Sequence, residues 1–165
     1  YKEALAVISS GAMKPFDDQF QFIPRAQFFA EVYGLMKRPD LERAYYDSAR
    51  VTLERKVQEQ PEDARYHSAL GIAYACLGRK QDAVREGKLG VELLPISKEA
   101  RRGTYRVRDL ARIYTMVGEK DLALDQLELL LTKPSDISAP LLRIDPTWTP
   151  LRNNPRFQKL IAENK

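Results

Sequence analysis

The chain repeats itself. Tyr33, Tyr74 and Tyr114 are spaced 41 and 40 residues apart, and around the last two the likeness extends well beyond tyrosine. Leu70 and Leu110 stand four residues before them, Gly78 and Gly118 four after, and Ala83 and Ala123 nine after. In register, "LGIAYACLGRKQDA" lies over "LARIYTMVGEKDLA". The first copy is weaker: Phe29, Ala30 and Tyr33 match, but Lys37 and Glu42 stand where Gly and Ala belong. A period of this length with helical spacing restricts the fold to stacked helical hairpins, because one hairpin cannot bury its own apolar face.

The spacing within each copy is that of a helix. Tyr66, Leu70, Ala73, Tyr74 and Leu77 form one stripe, and Val107, Leu110, Ala111, Tyr114 and Val117 its counterpart. A second amphipathic stretch follows each turn, at residues 41–60, 80–94 and 120–132, with Pro61 and Pro95 ending the first two. The predicted fold is all-α: an α-α superhelix, or solenoid, of about three helix pairs plus a C-terminal capping segment. It forms one domain over 1–165, with 1–21 the remnant of a preceding pair ("YKEALAVISS" its second helix). Repeats follow at 22–61, 62–95 and 96–134, the last with a short insertion, and the cap at 135–165. Hydrophobic residues at 44% and charged residues at 30% fit such a helix-rich globular chain.

The small residues have a packing role. Helices cross at ~8–10 Å, and small side chains permit the nearer end of that range. Gly71, Ala73, Ala83 and Gly90 are expected to do this in the middle pair, with Tyr74 filling the gap to the next pair. Gly87 and Gly90 each cost about 1 kcal/mol against Ala inside a helix. Another backbone, such as the inserted turn, is therefore expected close to them, and Ser97 is the expected N-cap of that turn.

Residues 64–95 resemble the tetratricopeptide repeat, with Leu70, Gly71, Tyr74, Ala83 and Pro95 standing where that pattern has Leu, Gly, Tyr, Ala and Pro. His67 occupies the usual tryptophan place, and Gly87 and Gly90 replace an aromatic and an alanine. Residues 107–130 and, more loosely, 26–49 share the likeness, which covers most of 22–134. The units run six or seven residues longer than the usual repeat. The resemblance implies a superhelix whose first helices line a concave face. Some members of that family clamp a chaperone's terminal carboxylate with Lys and Asn. Here the matching positions hold Gln27, Glu31, Ala69, Tyr105 and Asp109, so that clamp is absent.

The tail, "LLRIDPTWTPLRNNPRFQKLIAENK", is not a repeat. Thr149-Pro150 and Asn154-Pro155 each read as an N-cap followed by Pro at the first helical position. Phe157, Leu160 and Ile161 make the apolar side of a final helix, and Trp148 is expected to anchor the segment on the last pair. A tract ending this way is similar to the C-terminal regions of bacterial multidomain signalling proteins. In those, such tracts follow kinase, cyclase or winged-helix output domains, often with a TolB-like region between. The opening at Tyr1 rather than Met reads as a piece of a longer protein.

Chemistry is sparse. One cysteine, Cys76, excludes an internal disulfide and a Cys-based zinc site, and one histidine, His67, excludes His-rich constellations. No phosphate-binding glycine motif occurs. Asp17-Asp18 and Glu62-Asp63 are read as acids at helix starts, His67 as a structural imidazole against its partner helix, and Cys76 as a small buried hydrophobe. No enzyme, cofactor, metal or small-molecule substrate is expected. No run is long enough to insert in a membrane. The single cysteine favours the cytoplasm slightly, with an extracytoplasmic part of a membrane-anchored parent left open.

One charge feature stands out. Residues 98–112, "KEARRGTYRVRDLAR", hold six basic and two acidic side chains, a local excess equal to the chain's net +4. It reads equally as a solvated surface or as an anion-binding face carried by Arg108 and Arg112, i and i+4 on one helix. In the concave register Gln27, Glu31, Ser68, Ile72, Tyr105 and Asp109 join them as candidate peptide-binding residues. The function expected is a protein-interaction module holding a peptide or partner helix, acidic in character, as the sensor or scaffold part of a larger bacterial signalling protein. The alternatives are a structural spacer or homodimerisation element and, ranked lower, nucleic-acid binding through residues 98–112.

Overall fold

Chain reversal is solved the same way three times. Lys37, Gly78 and Gly118 have φ of 56°, 78° and 81°, the left-handed region that glycine enters without a Cβ penalty. After each, the next amide donates back to a tyrosine carbonyl: Arg38 to Tyr33 at 3.0 Å, Arg79 to Tyr74 at 2.9 Å and Glu119 to Tyr114 at 2.9 Å. This is the Schellman closure of a helix end, and it explains the fixed four-residue interval from tyrosine to glycine. Lys37 takes the glycine conformation although it carries a side chain.

The computed structural model describes residues 1–10 and 14–164. Residues 11–13, within the segment expected to be a helical remnant, lie outside the described residues. In order, the elements are α1 (Lys2–Ser9), β1 (Phe16–Asp17), β2 (Phe22–Ile23), α2 (Arg25–Leu35), α3 (Pro39–Glu59), α4 (Ala64–Cys76), α5 (Lys80–Leu93), α6 (Ala100–Met116), α7 (Lys120–Leu131), α8 (Ala139–Ile144), a 3-10 helix (Pro146–Leu151) and α9 (Pro155–Glu163). Helices α2–α3, α4–α5 and α6–α7 pack as consecutive pairs, and α4 also touches α3 and α6. The fold is therefore all-α and helical-repeat in character, as the periodicity predicts. No helix among the described residues is long and apolar enough to cross a membrane.

The central helix is buried almost all round; between Ala64 and Ala75 only Arg65 escapes full burial. Such enclosure needs a close partner. A Cβ on Gly71 would lie 3.0 Å from the Ala83 carbonyl oxygen and 3.1 Å from the Gly87 nitrogen, and one on Gly90 would lie 3.2 Å from the Ala64 carbonyl oxygen. The backbone approaching Gly90 is thus its own partner helix, not the inserted turn. Gly87 instead faces the Ile113 and Leu110 side chains of α6, and the turn at Pro95–Ile96 lies against Gly103. Glu99, not Ser97, caps the helix that follows, accepting from the Arg101 amide at 3.0 Å.

Two core clusters run through the stack. The first gathers Phe22, Tyr46, Leu53, Tyr66, Leu70 and Ile113. The second gathers Val107, Leu110, Leu124, Leu127, Trp148 and Phe157. Tyr74 belongs to the first and donates its hydroxyl to Glu54 on α3 at 2.8 Å, so it joins the central pair to the preceding one rather than the next. In the tail, Trp148 is 2% exposed and packs its 3-10 helix against α6. Asn154 accepts from the Arg156 amide at 2.8 Å with Pro155 at the first helical position, as expected. Thr149-Pro150 is not a cap, because it lies inside the 3-10 helix; Asp145-Pro146 starts that helix, Asp145 accepting from the Thr147 amide at 2.8 Å.

The two acidic pairs diverge. Asp63 caps α4, accepting from the Arg65 amide at 3.0 Å, as read. Asp17-Asp18 starts no helix. Asp17 pairs with Phe22 in an antiparallel hairpin, and the Asp18 carboxylate accepts from the Phe20 and Gln21 amides at 2.8 Å each, closing the turn. A short polar side chain competes with helix by bonding its neighbours' amides in this way.

Candidate functional site

The first helices of the three pairs, α2, α4 and α6, share one face. Gln27, Ile72, Arg108, Asp109 and Arg112 come together there around a partly enclosed cavity of about 280 Å3. Gln27 donates from Nε2 to Glu31 Oε1 at 3.1 Å, and Arg112 Nη2 donates to the same oxygen at 3.1 Å, tying α2 to α6 across α4. Burial alone would weaken the Arg112 charge; Glu31 beside it, with Tyr46 and Cys76 nearby, raises its pKa instead. Among the described residues Arg112 makes no other hydrogen bond, which leaves Nε and Nη1 as free donors.

Arg108 is more fully engaged. It donates to Asp136, to Gln21 Oε1 at 3.0 Å and to Asp109 Oδ1 at 3.3 Å. Burial opposes its charge, and Asp109 and Asp136 more than compensate, raising its pKa.

Of the eight candidates, Glu31 adjoins the cavity through Gln27 and Arg112 without lining it, and two fall elsewhere. Ser68 is 1% exposed, and its hydroxyl lies 2.6 Å from where a Cβ on Gly90 would stand, between α4 and α5. The repeat register points it inward, but the close crossing at Gly90 takes that side of α4. Tyr105 lies outside the cavity, in an adjoining hollow with Arg101, Thr104 and Ser135.

The inner face is not bare. The β1–β2 hairpin lies over it, held by side chains the sequence does not single out. Arg65 donates to the Asp18 carbonyl and, at 2.8 Å, to Asp17 Oδ1. Arg106, 1% exposed, donates to the Phe20 carbonyl and pairs with Asp109 at 3.1 Å. Phe20 stacks on Tyr105 with centroids 4.8 Å apart, and Phe22 meets Tyr66 edge-on at 5.0 Å. Arg101 and Arg108 cover the outer faces of that stack at 5.0 and 4.5 Å. The tail closes the other side through Asp136, Ile137, Leu141 and Trp148.

Four of the six basic side chains of the run are paired within the molecule, while Lys98 and Arg101 are exposed. Arg102 pairs with Glu99, Arg106 with Asp109, Arg108 with Asp136 and Arg112 with Glu31. That leaves Lys98 and Arg101 as the run's exposed cations, few for a phosphate backbone, where affinity scales with the phosphates neutralised.

His67 packs against its partner helix as expected, and the acid it meets is Glu86, 2.7 Å from Nδ1. Cys76 is half-buried, and burial above all pushes its thiol up to about 12, against the Tyr46 hydrogen bond and Arg112. No family model, no curated protein and no solved structure matches this chain.

Proposed function

We propose that this chain is a non-enzymatic interaction module of the tetratricopeptide kind. Its inner face takes a carboxylate-bearing peptide or partner helix, as the sensing or scaffolding part of a larger bacterial signalling protein. The observation that carries the reading is Arg112. A guanidinium fixed by Glu31 on one side keeps two donors free beside a cavity that also holds Gln27, Ile72 and Arg108. A carboxylate entering there gains charge-assisted hydrogen bonds, roughly twice as strong as neutral ones. The helices that carry these groups are already packed in place, so ordering them costs little on binding.

The test is fluorescence polarisation with a panel of labelled Asp/Glu-rich decapeptides and a neutral panel of equal length. Acidic peptides are expected to bind the wild type, and the R108E/R112E double variant to lose them. Acidic binding left intact in the double variant removes this site from the reading; no preference for acidic over neutral peptides removes the reading itself.

A further inference from the structure

Resting on that reading, we propose that the hairpin Phe16–Ile23 is an internal ligand of the inner face, and that the external partner is a peptide of the same acidic–aromatic pattern that displaces it. Apart from Phe22, which is buried in the first core cluster, the hairpin has the character of a bound peptide rather than of a structural layer. Its strands are two residues each, and a short two-stranded ribbon is at best marginally stable by itself. What holds it is contact with α4 and α6, made 47 to 87 residues away in sequence.

Those contacts divide into two kinds. Arg65 and Arg106 read main-chain carbonyls, of Asp18 and Phe20, which any peptide supplies. The selective contacts are the Asp17 carboxylate on Arg65, the Phe20 ring on Tyr105 under Arg101, and the Phe22 ring on Tyr66. Asp17 is exposed and Phe20 half-buried, so two of these three lie at the rim, where exchange with solvent begins. The complementary ligand is a segment that turns back on itself as this hairpin does, with an acid followed by aromatics three and five residues on. Such a segment meets a face whose Arg65, Arg101 and Tyr105 select charge and rings, while Arg106 fixes the main chain.

Occupation in cis lowers apparent affinity by the fraction of molecules whose face is open. The test uses the full chain and a labelled synthetic peptide of residues 15–24, PFDDQFQFIP. A D17N/F20A variant, which loosens the hairpin without altering the helices, is expected to bind this peptide at least about tenfold more tightly than the wild type. Adding Y105A to that variant is expected to abolish the gain. Helical circular dichroism reports folding; if the double variant loses it, D17N alone carries the comparison in the same direction.

Equal affinity in wild type and variant, or binding by neither, overturns the internal-ligand proposal. If the Asp/Glu-rich panel still binds through Arg108 and Arg112, the interaction reading survives that failure. If neither peptide set binds, both fall together.

Discussion

His67 and Glu86 face each other as a buried pair between the two central helices. Nδ1 lies 2.7 Å from Glu86 Oε2, and Nε2 lies 2.8 Å from the Pro61 carbonyl oxygen. With an acceptor against each ring nitrogen, the doubly protonated imidazolium is the form that satisfies both. Burial opposes the charge on each partner. The Glu86 and Pro61 contacts nevertheless raise His67 above 6.5, and the His67 and Arg85 contacts lower Glu86 below 4.5.

A pH dependence follows from these directions. The His67 contribution is complete below its unfolded value and is lost as pH rises through its raised folded value. The Glu86 contribution is present above its unfolded value and is lost as pH falls through its lowered folded value. Together they act most strongly between the two ordinary values, 4.5 and 6.5. H67Q is expected to cost about 1.5–3 kcal/mol at pH 5.5, and the gap to wild type to narrow at pH 8.5. Thermal melts at both pH values check this; a gap that does not change with pH contradicts the charged pair.

Lys37 holds a conformation built for glycine. K37G is expected to stabilise the fold by about 1 kcal/mol, because it removes a Cβ from the left-handed region. G78A at the equivalent turn is expected to cost a similar amount, although open space surrounds it. Urea midpoints with unchanged slope measure both.

Gly71 lies at the close crossing. G71A has a better helix propensity by about 1 kcal/mol, but its Cβ meets backbone atoms of α5 at 3.0 and 3.1 Å. Overpacking of this kind costs about 1–3 kcal/mol, so a net loss of melting temperature is expected. A rise shows that α4 and α5 can part cheaply.

Trp148 anchors the tail. W148A is expected to cost about 3–5 kcal/mol, as for other buried aromatic truncations, and to expose the apolar surface of α6 and α7. Chemical denaturation gives the loss, and binding of a hydrophobic dye reports the uncovered surface.

Cys76 serves as a native-state reporter. A thiol held at about 12 has almost no thiolate at neutral pH, and the thiolate is the nucleophile. Labelling by a disulfide reagent at pH 7.5 is expected to be slow in the native protein and rapid in urea. Fast native labelling places the thiol in a more open setting.

Much of the architecture is written locally. Tyr74, Gly78 and Ala83, repeated as Tyr114, Gly118 and Ala123, carry the turn and the hairpin crossing, because a Schellman closure involves only six consecutive residues. Asp63 and Asn154 cap the helices their positions promise, for the same reason. The convergence of Gln27, Ile72, Arg108 and Arg112 matches the concave register that the resemblance implies, the register that also misplaces Ser68.

The covering of that face was decided by the tertiary structure. Phe16–Ile23 has too few residues to show strand alternation, and Asp17-Asp18 reads equally well as a helix start. Its position depends on Arg65, Arg106 and Arg108, far along the chain and set in place only once α4 and α6 stack. The same applies to Ser68, which helix periodicity turns inward and the Gly90 crossing claims for α5. Periodicity determines which residues share a side of a helix, whereas contacts between distant helices determine what occupies that side.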